Sequence, residues 1–553
     1  MSRFELKSFR ALFPLLNEKV NGKDIVYFDN AATTQKPSNV INKEKEYYQT
    51  YNANVHRAAH QLSAKATNAF EASRTRVQQY IRAKFSHEII WTKGTTESIN
   101  LVAQSWGMNS LLAGDEIVLS VAEHHANIVP WQVVAEKTGA IIKVLPLDKT
   151  GRIDDSLIDT VISDNTKIVC CSHISNVIGK VNPIEKVIAR AKDVGAKTLI
   201  DGAQAIAHIP VDVQRLDCDF YVFSAHKMYG PTGVGVLYGK TSELEVMPVY
   251  QTGGEMIKHV SFSGTTFNDL PFKFEAGTPN IAGVVAFSAA IELITDHSLN
   301  RHANHKQTLK NYCFEQLSLL NEVKFLVDDM PDIPLFSFVI VGHHQQDIAA
   351  YLDTAGIAVR AGHHCAMPLM NSFALPGCIR VSLAPYNSMD EVDYFIKTLK
   401  RILLNDEGEA AVSNSEGQYN KLDESSLILD KFTQVKSWDA KHRAIMLLGK
   451  TLPRLSKDLR SDDTLISGCE SAAWLLISKS SSGVFAFSAD SDAKIIRGLL
   501  VIVLAAFNHK TAQQIIDFDI DIYFKELGLI QHLSPSRGNG LLAIVNKIRQ
   551  AVK

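Results

Sequence analysis

The chain has 553 residues, several times the usual domain length, so more than one folded domain is expected. With 57 Lys+Arg against 59 Asp+Glu, its formal net charge of -2 lacks the basic excess on which non-specific nucleic-acid binding draws. The longest apolar run, Leu499 to Phe507, is too short to cross a bilayer, and the first residues, Met1-Ser-Arg-Phe-Glu-Leu-Lys-Ser, lack the apolar core of a signal peptide.

Seven cysteines, Cys170, Cys171, Cys218, Cys313, Cys365, Cys378 and Cys469, are an odd number without a C-x-x-C pair. That argues against a disulfide framework or a zinc knuckle, and a cytoplasmic protein without a bound metal is expected.

In chain order, a strand over Glu88 to Trp91 leads into Gly94-Thr95-Thr96 and a helix. Backbone N–H groups and hydroxyls would gather at that helix N-terminus, where a phosphate is stabilised, although Gly-Thr-Thr also serves as ordinary capping chemistry. Short β-branched runs follow at Lys167 to Cys171, Thr198 to Asp201 and Asp219 to Ser224, alternating with helical stretches such as Ile184 to Val194. Such alternation predicts a mostly parallel sheet with helices on both faces, an α/β fold. From about Gly283 the pattern becomes a long helix (Ala286 to Asn311), strands at Val323 to Val327 and Ile333 to Val341, and then a cysteine loop: a smaller α+β domain. Residues 405–426 are acidic, rich in Ser, Asn and Gly and poor in apolar side chains, and read as a linker. Beyond it, helices over Trp438 to Leu452 and Asp492 to Phe507 flank a strand at Val484 to Phe487, which predicts a compact α+β module.

Chemistry concentrates at three points. Lys227, in Ser224-Ala-His-Lys227, is placed to hold an aldehyde cofactor as a Schiff base, with Ser224 and His226 as further phosphate contacts. Asp201 ends a strand where it could keep a pyridine nitrogen protonated, or simply cap the next segment. Cys365, in Arg360-Ala-Gly-His-His-Cys365, has Arg360, His363 and His364 nearby in sequence to favour its thiolate, the nucleophilic form.

Residues 1–404 resemble the cysteine desulfurases of the Suf type, fold-type I pyridoxal-phosphate enzymes, through Phe28-Asp-Asn-Ala-Ala-Thr33, Asn54-Val-His-Arg57, Glu123-His-His-Ala-Asn127, Asp201-Gly-Ala-Gln204, Ser224-Ala-His-Lys227, Phe274-Glu-Ala-Gly-Thr-Pro279 and Arg360 to Cys365. Met367 departs from the group, which often carries glutamine there. The resemblance implies a large domain of about 20–285 and a small domain of about 1–19 and 286–404. It implies that Lys227 carries pyridoxal 5'-phosphate, that His124 stacks on its ring and shuttles protons, and that Asp201 pairs with the ring nitrogen. Gln204 would bond the phenolic oxygen. Thr95, Thr96, Ser224 and His226 would hold the phosphate, with Thr278 reaching it from a second subunit, which implies a homodimer. Arg380 would clamp the substrate carboxylate, assisted by Asn176 and His56, with Arg360 nearby. The implied reaction converts L-cysteine to L-alanine and leaves a persulfide on Cys365, and a selenocysteine lyase is the alternative within the same fold.

Residues 427–553 resemble the SufE sulfur-acceptor proteins through Gly468-Cys-Glu-Ser471 with Trp474, Ala489 to Leu499, and Leu527 to Leu541. Cys469 would accept the sulfur for iron–sulfur assembly with scaffold proteins of the Suf system. Asp490, Asp492 and Arg497 are expected to form a helix-capping network. A flexible linker of some 22 residues spans roughly 25 Å, enough for the acceptor to visit the donor.

Overall fold

A computed structural model describes residues 5–296, 299–410, 425–435, 438–466, 471–529 and 535–553. Seven strands form the main sheet: β1 (Ile89–Thr92), β2 (Glu116–Ser120), β3 (Ile141–Leu145), β4 (Thr166–Ser172), β5 (Lys197–Asp201), β6 (Phe220–Ser224) and β7 (Gly235–Gly239). Their spatial order is β1-β7-β6-β5-β4-β2-β3. Strands β2 to β6 pair in parallel, whereas β7 runs antiparallel to both β6 and β1. The expected mostly parallel sheet is therefore present, and runs such as Phe220-Tyr-Val-Phe are buried on both faces, as a sheet covered by helices requires.

The helices that matter for the site are α1 (Thr95–Val102), α2 (Val129–Thr138), α3 (Ile184–Asp193) and α4 (Ile281–Asp296). In α3 the buried residues Ile184, Val187, Ile188 and Ala191 recur at i, i+3, i+4 and i+7, one apolar stripe facing the sheet. Each large aliphatic side chain so buried contributes about 1.5–3 kcal/mol. The helix stops at Val194 because Gly195 supplies a left-handed turn at φ 75°.

An exposed hairpin, β8 (Ile257–Ser261) and β9 (Gly264–Phe267), carries the fully exposed Phe262 at its tip. Helices α4 and α5 (Leu299–Ser318) cover the stretch expected as one helix over 286–311 except for 297–298, which lie outside the described residues. A second sheet follows: β10 (Val323–Phe325), β11 (Leu335–Ile340), β12 (Arg360–Gly362) and β13 (Cys378–Ser382), in the order β10-β11-β13-β12. Helix α6 (Met367–Ser372) lies between β12 and β13 in the chain, and α7 (Met389–Ala410) follows them.

The chain divides into two compact units. One comprises residues 1–18, 24–339 and 358–394; the other comprises 19–23, 340–357 and 395–553. Helix α7 contains the break at Tyr394 and runs to Ala410, six residues into the stretch expected to be linker; residues 411–424 lie outside the described ones.

In the second unit, α8 (Trp438–Thr451), β14 (Ala473–Lys479), β15 (Val484–Ser491), α9 (Lys494–Phe507), β16 (Lys510–Thr511) and α10 (Pro535–Val552) surround an apolar core. Helix α9 is buried almost all round, and a Cβ on Gly498 would collide with the Ile445 carbonyl of α8, so glycine permits that close crossing. The expected capping role of Asp490 is not what the fold shows. Its wholly buried carboxylate is the counter-ion of Arg454, Arg460 and Arg497, while Ala493 stands at the N-cap of α9. Three guanidinium groups converge there because a buried carboxylate without partners would be costly. Cys469 lies outside the described residues.

Candidate active site

The parallel strands end on one side of the main sheet, and their C-terminal ends deliver the candidate residues to one cavity of about 250 Å³. Thr95, Thr96, His124, Asn176, Asp201, Gln204, Ser224, His226, Lys227, Arg360, Cys365 and Arg380 all line it.

The phosphate corner is built by α1 and the end of β6. Thr95 N and Thr95 Oγ1 lie 2.8 and 2.7 Å from Ser224 Oγ, gathering hydroxyls and an amide at the positive end of the helix. A Cβ on Gly235 would collide with the Gly94 backbone, so β7 passes against this turn only as glycine. The turn carrying Lys227 is fastened from behind: the His226 carbonyl accepts from Thr34 N (3.1 Å), Thr33 Oγ1 (3.1 Å) and Lys36 Nζ (2.9 Å).

Burial pushes the Asp201 carboxyl up and the Lys227 ammonium down, and the charge of each opposes the shift of the other. Asp201 Oδ1 accepts from Ala203 N at 2.9 Å. His124 is held near pKa 4, first by burial and then by the Lys227 charge, so its ring is neutral at physiological pH. Its Nδ1 accepts from Ala126 N at 3.1 Å, which assigns the ring proton to Nε2. Gln204 Nε2 donates to the Ala31 carbonyl at 2.8 Å.

At the opposite wall, Arg380 is 3% exposed. It donates from Nη1 to Asn176 O (2.8 Å) and from Nη2 to Asp29 Oδ1 (3.3 Å), while its buried Nε has no partner among the described residues. Arg360, paired with Arg380 across β12 and β13, makes a fork onto Asp29 at 2.9–3.1 Å. One carboxylate thus balances two guanidinium groups, leaving positive charge for an incoming anion.

Cys365 is partly exposed, with φ 55°, and the preceding His364 has φ 53°. Asn176 Nδ2 donates to the His364 carbonyl (3.0 Å), the His364 ring lies 3.1 Å from the Cys378 carbonyl, and His363 Nδ1 accepts from Cys365 N (3.1 Å).

Two expected residues are elsewhere. His56 is not in the cavity wall; its Nε2 pairs with Glu71 at 2.9 Å. Thr278 is exposed and also outside the wall. Sequence reasoning assigned no role to Asp29, which holds both arginines, or to Glu123. The wholly buried carboxyl of Glu123 accepts from Asn127 and Ser172 N, and burial raises it to about 7. Both lie inside motifs already singled out, but only the folded chain supplies their partners.

The donor set fits pyridoxal phosphate. There is a buried amine, a buried carboxylate at a strand end, a neutral imidazole in the cavity wall and a hydroxyl-lined helix N-terminus.

Residues 26–395 match the aminotransferase class-V family model, and residues 426–552 match the Fe-S metabolism associated domain, SufE. A probable cysteine desulfurase of Vibrio cholerae is 50% identical over 398 residues, covering 72% of this chain and 98% of that protein. A cysteine desulfurase of Yersinia pestis is 48% identical over 400 residues, with the same coverages. Among solved structures, the Escherichia coli cysteine desulfurase CsdA superposes with a TM-score of 0.68 at 40% identity, over 73% of this chain and 99% of that one. The cavity and its likenesses agree: the chain belongs to the class-V aminotransferases, in the branch of the pyridoxal-phosphate-dependent cysteine desulfurases, and carries a SufE domain at its C-terminal end.

Proposed function

We propose that the protein converts L-cysteine to L-alanine, keeps the sulfur as a persulfide on Cys365, and passes it to Cys469 of the SufE domain for iron–sulfur assembly. The observation that carries this reading is the placement of Lys227, a neutral His124, Arg380 and Cys365 around one cavity. Pyridoxal phosphate, when bound there, supplies the electron sink that makes the substrate's C–S bond labile. Lys227 and Asp201 would hold its two ends, and Thr95, Thr96, Ser224 and His226 its phosphate.

Arg380 receives the substrate carboxylate, using the Nε donor that has no partner among the described residues. His124, carrying its proton on Nε2, is placed to offer that N–H to a group bound in the cavity. The Cys365 thiolate attacks the substrate sulfur: a sulfur–sulfur bond forms, the carbon–sulfur bond breaks, and its electron pair stays on the carbon that is then protonated to give alanine. In the second step the Cys469 thiolate attacks the outer sulfur and displaces the Cys365 thiolate.

A homodimer is part of this reading. The exposed Thr278, the exposed β8–β9 hairpin and His56 outside the cavity wall suit a site completed by a second copy. The cytosol, where thiols stay reduced, suits a nucleophilic cysteine, and scaffold proteins of the Suf system are the proposed recipients. No helix among the described residues is long and apolar enough to cross a membrane.

The test is Cys365→Ala, which should retain the visible absorbance of the bound cofactor and release no alanine from L-cysteine. Normal turnover of that variant would refute the proposal. Much faster turnover on L-selenocysteine than on L-cysteine by the parent protein would favour the lyase reading.

A further inference from the structure

We infer that His125 is a positioning residue that holds the nucleophile loop by capping the helix that follows Cys365. The inference rests on the role proposed above for Cys365. His364 and Cys365 are consecutive non-glycine residues in the left-handed region, at φ 53° and 55°, a conformation that persists only where surrounding contacts enforce it. On the upstream side those contacts are the bonds made by Asn176, His363 and the His364 ring.

Downstream, the chain must turn at once into α6, and α6 starts poorly. Its N-cap is Ala366, which has no side-chain acceptor, and Pro368 has no N–H to offer. One N–H that the helix itself leaves unsatisfied is that of Met367, and it donates to His125 Nε2 at 3.0 Å. The backbone N of His125 donates to the Cys365 carbonyl at 2.7 Å. His125 therefore grips the chain on both sides of Ala366 from a distant segment. That segment also carries His124, whose ring lines the cavity. One dipeptide fixes the His124 imidazole and the nucleophile in a common frame. The His363 ring lies 5.5 Å from that of His125.

The test compares His125→Leu, His125→Asn and His125→Gln in the full-length, cofactor-loaded protein. A glutamine amide oxygen reaches about as far as Nε2; asparagine falls short, and leucine offers no acceptor. Losing one hydrogen bond that orients a reacting group is expected to slow persulfide formation on Cys365 about tenfold in single turnover for the Leu and Asn variants, with KM for cysteine and cofactor absorbance unchanged. The Gln variant should recover to within about threefold of the parent. Without cysteine present, iodoacetamide should alkylate Cys365 several-fold faster in the Leu and Asn variants, because the loop is released.

A Gln variant as slow as the Leu variant, or a Leu variant with parental persulfide and alkylation rates, would overturn the inference. So would a defect confined to KM or to cofactor absorbance. The alkylation arm needs no turnover. If it shows the contrast while the parent forms no persulfide, the proposed activity fails and the positioning role stands.

Discussion

Replacing Arg380 with alanine tests the substrate clamp most sharply. The side chain is 3% exposed and already spends one N–H on Asn176 O and one on Asp29, so the buried Nε and the remaining terminal N–H groups are what a carboxylate can use. Two charge-assisted hydrogen bonds at about 1.5–3 kcal/mol each set an upper range, and the desolvation of the carboxylate takes back part of it. A net loss of about 3 kcal/mol corresponds to roughly 150-fold in kcat/KM. The loss should fall mainly on KM, since the carboxylate does not react. Arg380→Lys keeps the charge but not the fork and should lie between. The assay is alanine release against cysteine concentration with excess reductant, using cofactor absorbance to confirm a loaded site. Parental KM in the alanine variant, with normal absorbance, would show that Arg380 serves only to order Asp29 and Asn176.

Three further outcomes are expected. Lys227→Ala should lose the visible absorbance typical of a lysine-bound cofactor together with activity, as absorbance spectra will show. Glu123 sits wholly buried with its pKa raised from 4.5 to about 7, so the stability it contributes is complete below 4.5 and is lost as pH rises through about 7. That difference is worth about 3 kcal/mol. Urea unfolding of Glu123→Gln should therefore show a flatter pH dependence between pH 4.5 and 8 than the parent; equal slopes would contradict the burial argument. Cys469→Ser should leave a first burst of alanine intact and depress steady turnover, with strong external reductant restoring the rate; parental cycling without reductant would remove Cys469 from the pathway.

The main sheet was legible because its strands are short β-branched runs buried on both faces, and β4, β5 and β6 lie within a residue of the expected bounds. The start of α4 was not: the helix begins at Ile281, five residues before the expected Ala286. β14, Ala473 to Lys479, also escaped: Trp474-Leu-Leu-Ile477 is continuous rather than alternating and resembles a buried helix segment as well as a strand. In the site, residues that act through their own side-chain chemistry, such as Lys227 and Cys365, announced themselves. Asp29 and His125 did not, because their partners lie hundreds of positions away, Asp29 at Arg360 and Arg380, His125 at Met367. Likewise the Asp490 cluster looked like a cap until the fold brought Arg454 and Arg460 to the same carboxylate.

The most direct test of sulfur relay is time-resolved peptide mapping by mass spectrometry after one equivalent of L-cysteine is mixed with the cofactor-loaded protein. The account predicts an added sulfur on the Cys365 peptide first, decaying as the same mass appears on the Cys469 peptide, with alanine released in step with the first event. Sulfur that appears on Cys469 in a Cys365→Ala variant, or that never leaves Cys365 in the parent protein, would contradict it.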